Sequence, residues 1–162
     1  MRTEFGFPRT ECGCRGCRLN CEHMPGMLIP ADLLRMIPTG ADPFDWSEHN
    51  LLASPGALVQ KGSERFRIPT LVPAKKPDGS CIHLQDGRCA IHPVAPFGCA
   101  HFDCRPEHPK LSTMGLLSIM GVEAYDQTHQ APLYHAIWQY LSDRGKTQNP
   151  PEVVRQRMAA CL

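Results

Sequence analysis

Apolar residues recur at helical spacing in Ala31-Asp32-Leu33-Leu34-Arg35-Met36-Ile37, a run opened by Pro30 and closed by Pro38 and Gly40, which predicts a short helix. Pro43 to Leu52 predicts a second helix, with Phe44, Trp46 and Leu51 or Leu52 as its buried stripe and Ser54-Pro55-Gly56 as its end. The period then changes. Phe66, Ile68 and Leu71-Val72 read as an extended segment, followed by a Pro77-Asp78-Gly79 turn. Cys81 to Leu84 and Arg88 to Ile91, joined by a tight Gln85-Asp86-Gly87 turn, predict a β-hairpin carrying Cys81 and Cys89 near its two ends. Beyond Pro109 the pattern is helical again. Leu133, Ile137, Tyr140 and Leu141 fall on one helix face, with Gly145 as the C-terminal cap after Asp143-Arg144. Ser112 to Tyr125 reads as a preceding helix, and Val153 to Ala160 as a last one after Pro150-Pro151-Glu152, with Asn149 as its N-cap.

These elements predict an α+β class: a small, loop-rich single domain with a β-hairpin and several helices organised around a cysteine-ligated metal site. Residues 1–109 form the cysteine-cluster metal-binding region and 110–162 the helical C-terminal part of the same domain. A chain of 162 residues with 42% hydrophobic content fits one domain. Its 16 prolines and 13 glycines favour loops, so that ligation would supply order that regular packing does not. A structural zinc site alone contributes on the order of 10 kcal/mol to folding.

The chemistry sits in the cysteines. Eight of nine fall into two groups, Cys12, Cys14, Cys17, Cys21 and Cys81, Cys89, Cys99, Cys104. The first group, C-x-C-x2-C-x3-C, is too tightly spaced for comfortable local disulfides, whose Cα separation and dihedral geometry are demanding, and a thiolate metal site accepts it. The Met1 to Thr10 segment lacks the apolar core and cleavage site of a secretory signal, which points to a reducing cytoplasm and so to metal or redox chemistry over disulfides. The longest apolar stretch, Met114 to Val122, is far short of the roughly 20 residues that span a bilayer, so no membrane is expected. A net charge of +1, from 17 basic and 16 acidic residues, argues against nucleic acid and leaves an unknown protein partner open; Arg2, Arg9, Arg15 and Arg18 around the first group read mainly as a solvated loop.

The first cysteine group with Pro25-Gly26, followed by Cys81-x2-Leu84-x2-Gly87-x-Cys89-x-Ile91-His92-x3-Pro96-x2-Cys99, resembles the YkgJ-like cysteine-cluster family, described as a zinc- or iron-chelating domain. The resemblance covers about Cys12 to Cys104, and its second half is the specific part. It implies metal-binding cysteines in a small loop-rich domain. A related cysteine cluster also appears in flagellin lysine-N-methylases, where an iron–sulfur centre accompanies methyl transfer. This chain departs from the family in Cys17-x3-Cys21, in Ala95-Pro96 and in Ala100 after Cys99.

Four thiolates suit either a closed tetrahedral zinc site or an iron–sulfur cluster, and eight cysteines suffice for two sites. Zinc modules favour C-x2-C knuckles, of which only Cys14-x2-Cys17 is present, while Gly13 and Gly16 leave backbone N–H groups able to bond sulfur. An iron–sulfur cluster or other iron centre is therefore the expected cofactor, with zinc the alternative and purely thiol-based redox chemistry a third. His83, His92 and His101 lie within the second group, and His101, between Cys99 and Cys104, is the imidazole candidate. A Pro96-Phe97-Gly98 turn would aim Cys99 inward, and Cys161 reads as a spare. The expected role is electron transfer or service to another enzyme. The alternatives are a structural zinc domain for protein or nucleic-acid contacts, and a metalloenzyme with an open coordination position. No Ser/His/Asp set, nucleotide-binding glycine loop or H-E-x-x-H helix supplies an independent catalytic signal.

Overall fold

Pro30 sits at the first turn of helix α1, Pro30–Met36, where its missing N–H costs nothing, and the Asp32 carboxyl accepts the Ile29 N–H at 2.9 Å. Helix α2, Pro43–Asn50, is capped by Asp42, which accepts from the amides of Phe44 at 3.0 Å and Asp45 at 2.8 Å. The computed structural model describes residues 18, 21–23, 25–61, 63–100 and 132–149.

Strand β1, Leu51–Lys61, follows α2 without a loop and pairs antiparallel with β2, Glu64–Pro73, from Leu51↔Pro73 to Lys61↔Glu64. This corrects the expected end of the second helix. Helix α2 stops at Asn50, and Ser54-Pro55-Gly56 is not a terminator but the site where the pairing register shifts, between Ser54 and Ala57. Pro55 has no N–H to give the ladder and Gly56 adopts φ 89°, so the bulge accommodates both residues inside a strand. Leu51 and Ala53 gain burial against the core by pairing with β2, and this outweighs continuing the helix. The expected extended segment around Phe66 to Val72 lies within β2.

A second, smaller hairpin pairs β3, Leu84–Gln85, with β4, Arg88–Cys89. Its turn is the dipeptide Asp86-Gly87, with φ of 47° and 73°, the positive pair that a tight two-residue hairpin turn requires. A 3-10 turn, His92–Val94, leads to α3, Phe97–Ala100. Thus Pro96-Phe97-Gly98 is not a free-standing turn: it opens a helical turn in which the Cys99 N–H reaches the Pro96 carbonyl at 2.9 Å.

Helix α4, Pro132–Asp143, buries Tyr134, Ile137 and Leu141 and ends where Gly145, at φ 69°, donates to the Ser142 carbonyl. The core joins Leu28, Leu33, Met36, Leu51, Ala53, Leu71, Tyr134, Ile137 and Leu141, so α1, β1, β2 and α4 enclose one apolar centre. The fold is a small α+β arrangement of helices and antiparallel hairpins. The Tyr134 hydroxyl accepts the Leu71 N–H at 2.8 Å and donates to the Leu28 carbonyl at 2.7 Å, beside the direct Leu28 N–H to Leu71 carbonyl bond at 2.8 Å. It completes a rung between β2 and the chain entering α1. The helices expected at 112–125 and 153–160 lie outside the described residues. Among the described residues no helix is long and apolar enough to cross a membrane.

Candidate functional site

Four cysteines from four separate segments, Cys21, Cys81, Cys89 and Cys99, come into one another's electrostatic range. Cys21 lies in the helical turn 21–23, and its carbonyl accepts the Cys81 N–H at 2.6 Å. Lys75 Nζ donates to the His23 carbonyl at 2.9 Å. Arg18 is paired with Glu22 at 2.8 Å, and its guanidinium also lies beside Gly87, where a Cβ would stand 3.5 Å from Nη1. The chain around Cys21 is thereby fastened to residues 75–81, and Arg18 reaches the turn of the hairpin that bears Cys89.

Cys81 follows the Asp78-Gly79-Ser80 turn, tightened by Asp78 Oδ1 accepting from the Ser80 amide at 2.9 Å and hydroxyl at 2.7 Å. Lys75 bridges Cys81 in antiparallel fashion, and Lys76 Nζ donates to the Leu84 carbonyl. Cys89 stands opposite Leu84 in the small hairpin. The two thiols the hairpin was expected to bring close are therefore held by a turn on one side and a ladder on the other.

Cys99 is placed by contact between two stretches of backbone. The Gly98 N–H donates to the Met27 carbonyl at 3.0 Å and the Gly26 N–H donates to Cys99 Sγ at 3.1 Å. Both glycines are required sterically, since a Cβ on Gly26 would lie 2.2 Å from the Gly98 carbonyl carbon and one on Gly98 2.6 Å from the Met27 nitrogen.

Enclosure by protein pushes the Cys99 thiol up to about 12, opposed by the Gly26 amide, with Cys21, Cys81 and Cys89 raising it further. Burial likewise pushes Cys21 up to about 11, with Cys81, Cys89 and Glu22 adding to it. Burial raises Cys81 as well, against the His83 amide. Cys21, Cys81 and Cys99 thus hold their protons more tightly than free thiols do. Among the described residues, no three His, Cys, Asp or Glu side chains are grouped closely enough to hold a metal ion by themselves. The four sulfurs are electrostatic neighbours and do not form a closed ligand shell.

Cys12, Cys14, Cys17, Cys104, Cys161 and His101 lie outside the described residues. His92 is exposed in the 3-10 turn. The His83 ring is half-buried, its Nε2 is enclosed with no hydrogen-bond partner, and burial lowers its pKa, which favours the neutral imidazole. Asp32 and the two lysines were not singled out in the sequence. A carboxylate three residues after Ile29, on the core side of an apolar helix, is the signal that could have found Asp32.

No protein-family model matches the chain, and no match to it is found among curated proteins or solved structures.

Proposed function

We propose that this chain is a metal-binding protein, a member of the YkgJ-like cysteine-cluster family, whose two cysteine groups hold an iron–sulfur cluster or other iron centre in an electron-transfer or accessory role. The observation that carries the reading is the convergence of Cys21, from the first sequence group, with Cys81, Cys89 and Cys99 from the second. The donor chemistry suits the proposed group, although among the described residues the thiols are not gathered into a ligand shell. The donor set is made of thiols, the ligands soft metal centres select, and its sulfurs receive backbone N–H groups from Gly26 and His83, the kind of bond that stabilises thiolate and tunes a cluster. Cys12, Cys14, Cys17, Cys104 and His101 are the further candidate ligands. A bound cluster would supply a one-electron couple; the chain's own part is to bring the thiols together, direct amide hydrogens at sulfur and release thiol protons on binding.

A reducing, cytoplasmic setting belongs to the same proposal, since thiols persist there. Anaerobic purification with iron, zinc and sulfide analysis and a visible spectrum tests it. The expected result is at least one metal equivalent per chain, with absorption that bleaches reversibly on reduction. A colourless protein with stoichiometric zinc overturns iron in favour of a zinc domain. A folded, metal-free protein with all eight grouped thiols reactive overturns metal binding altogether.

A further inference from the structure

Asp32 is fully buried, an expensive place for a carboxyl group. Its bond to the Ile29 N–H is ordinary helix capping, and Asp42 performs the same service for α2 from the exposed surface. Capping therefore does not account for the burial. The same oxygen, Oδ2, also accepts the Phe97 N–H at 2.7 Å, from a residue 65 positions away. Phe97 is the first residue of α3, where backbone N–H groups have no partner within the helix, and its ring is itself fully buried.

Three consecutive residues of α3 are thus tied to one short stretch of chain. The Phe97 N–H goes to Asp32, the Gly98 N–H to the Met27 carbonyl, and Cys99 Sγ to the Gly26 N–H. Residues 26–32 act as a template against which α3 is laid. The Gly26 and Met27 ties involve backbone at residues 26–27, whereas the Asp32 tie depends on a side chain and can be removed by substitution. Arg35 Nη1, 3.8 Å from Asp32 Oδ1, partly balances the carboxyl.

We propose that Asp32 is a positioning residue for Cys99, its buried carboxyl gripping the Phe97 amide so that the Cys99 thiol is held against Gly26. The use made of that position, holding metal, rests on the function proposed above; the position itself is read on metal-free protein.

The test uses the full chain with Asp32→Ala, Asp32→Asn and, as a destabilised comparison, Trp138→Phe, which removes the indole N–H bond to the Ser54 carbonyl in β1. Peptide-resolved alkylation of the reduced, metal-free protein is measured where circular dichroism shows each variant folded. Cobalt(II) titration, read by the thiolate charge-transfer band, reports the loaded cluster. Asp32→Ala should accelerate Cys99 alkylation roughly tenfold relative to Cys81 and weaken cobalt binding about ten- to a hundred-fold, the usual effect of losing a group that orients a ligand. Asp32→Asn, which keeps an acceptor oxygen, should restore both. Trp138→Phe should lower the unfolding midpoint while leaving the Cys99 to Cys81 ratio unchanged. An unchanged ratio in Asp32→Ala, or equal acceleration of all thiols as in general loosening, overturns the proposal. Selective exposure of Cys99 in a protein that binds no cobalt supports the positioning and overturns the metal reading. Should Asp32→Ala not fold, hydrogen exchange in the wild-type chain decides: a slow Phe97 amide supports the grip, and one exchanging as fast as an exposed loop amide overturns it.

Discussion

Replacing Gly26 by alanine adds one methyl group where the backbone of α3 leaves no room. The new Cβ would lie 2.2 Å from the Gly98 carbonyl carbon, 2.4 Å from the Cys99 nitrogen and 2.7 Å from the Gly98 oxygen. All three are backbone atoms, so no rotamer change relieves the overlap, and the two segments must part by roughly 1 Å or more to reach ordinary carbon contact. Parting stretches the 3.0 Å bond from the Gly98 N–H to Met27 and the 3.1 Å bond from the Gly26 N–H to Cys99 Sγ out of useful range. Overpacking of this kind costs about 1–3 kcal/mol and each lost bond about 1 kcal/mol, so the substitution should cost about 3–5 kcal/mol. That is a large part of a typical domain's total of about 5–15 kcal/mol.

Gly79→Ala is the matched comparison. Gly79 adopts φ 85° with nothing within 4 Å of a built Cβ, so only the left-handed backbone penalises alanine, at about 1–2 kcal/mol. Urea unfolding of both variants, at ordinary slopes of about 1–3 kcal/mol per molar, should separate them by roughly 1 M in midpoint. Gly26→Ala alone should also expose Cys99 to alkylation. If it does not fold, Gly98→Ala probes the same contact from the other side, where the nearest overlap is 2.6 Å. A Gly26→Ala protein within about 0.5 kcal/mol of wild type, the range of an ordinary surface change, would refute the close-approach argument.

Tyr134→Phe leaves the buried Leu71 amide without this partner and removes a donor from the Leu28 carbonyl, and should cost about 2–4 kcal/mol in urea unfolding. Metal-free protein should lose stability as pH rises above about 9: the folded state retains protons on Cys21 to about 11, on Cys99 to about 12 and on buried Tyr134 above its usual range, while the unfolded chain gives them up. A urea midpoint that is flat or rising between pH 8 and pH 10.5 would contradict those raised values. His83→Leu, which removes an enclosed nitrogen without a partner, should stabilise the metal-free chain by about 1 kcal/mol, and a loss of stability would show that Nε2 is satisfied. Cys81→Ser and Cys89→Ser should lower bound metal while Cys161→Ser does not, since a hard oxygen replaces thiolate poorly on soft metals; equal losses would show that Cys161 is no spare.

Helix α1 and helix α4 are legible in sequence because local signals agree with burial: Pro30 and Pro38 bracket the first, and Ile137, Leu141 and Gly145 mark the second. Strand β1 was not legible. Its first residues continue the polar-apolar pattern of α2, and Ser54-Pro55-Gly56 carries every local mark of a chain break, whereas pairing with β2 absorbs it as a bulge. Grouped cysteines announce the candidate site through residue type and spacing. What spacing cannot convey is the long-range geometry that seats Cys99: nothing in the sequence shows that Gly26 and Gly98 meet backbone to backbone, or that Asp32 takes the amide of Phe97.

The apolar core and the cysteine cluster are held by different forces. None of the four clustered cysteines belongs to the core group of Leu28 to Leu141, which draws on hydrophobic burial among α1, β1, β2 and α4. The cluster side relies on backbone bonds between segments distant in sequence, Cys81 to Cys21 and Gly98 to Met27, and on the Asp32 grip. A ligand joining Cys21 to Cys81 would close a loop of about sixty residues, against eight for Cys81 and Cys89, and closure entropy grows only logarithmically with length, by about 0.6 kcal/mol per doubling. Most of what a shared metal could add to folding is therefore available from any one of these links, and further links would chiefly fix geometry. On the proposed reading, the core keeps α1 in place through Leu33 and Met36, α1 carries Asp32, and Asp32 sets α3, so that Cys99 is positioned by packing and a metal would draw the other thiols into a shell around it.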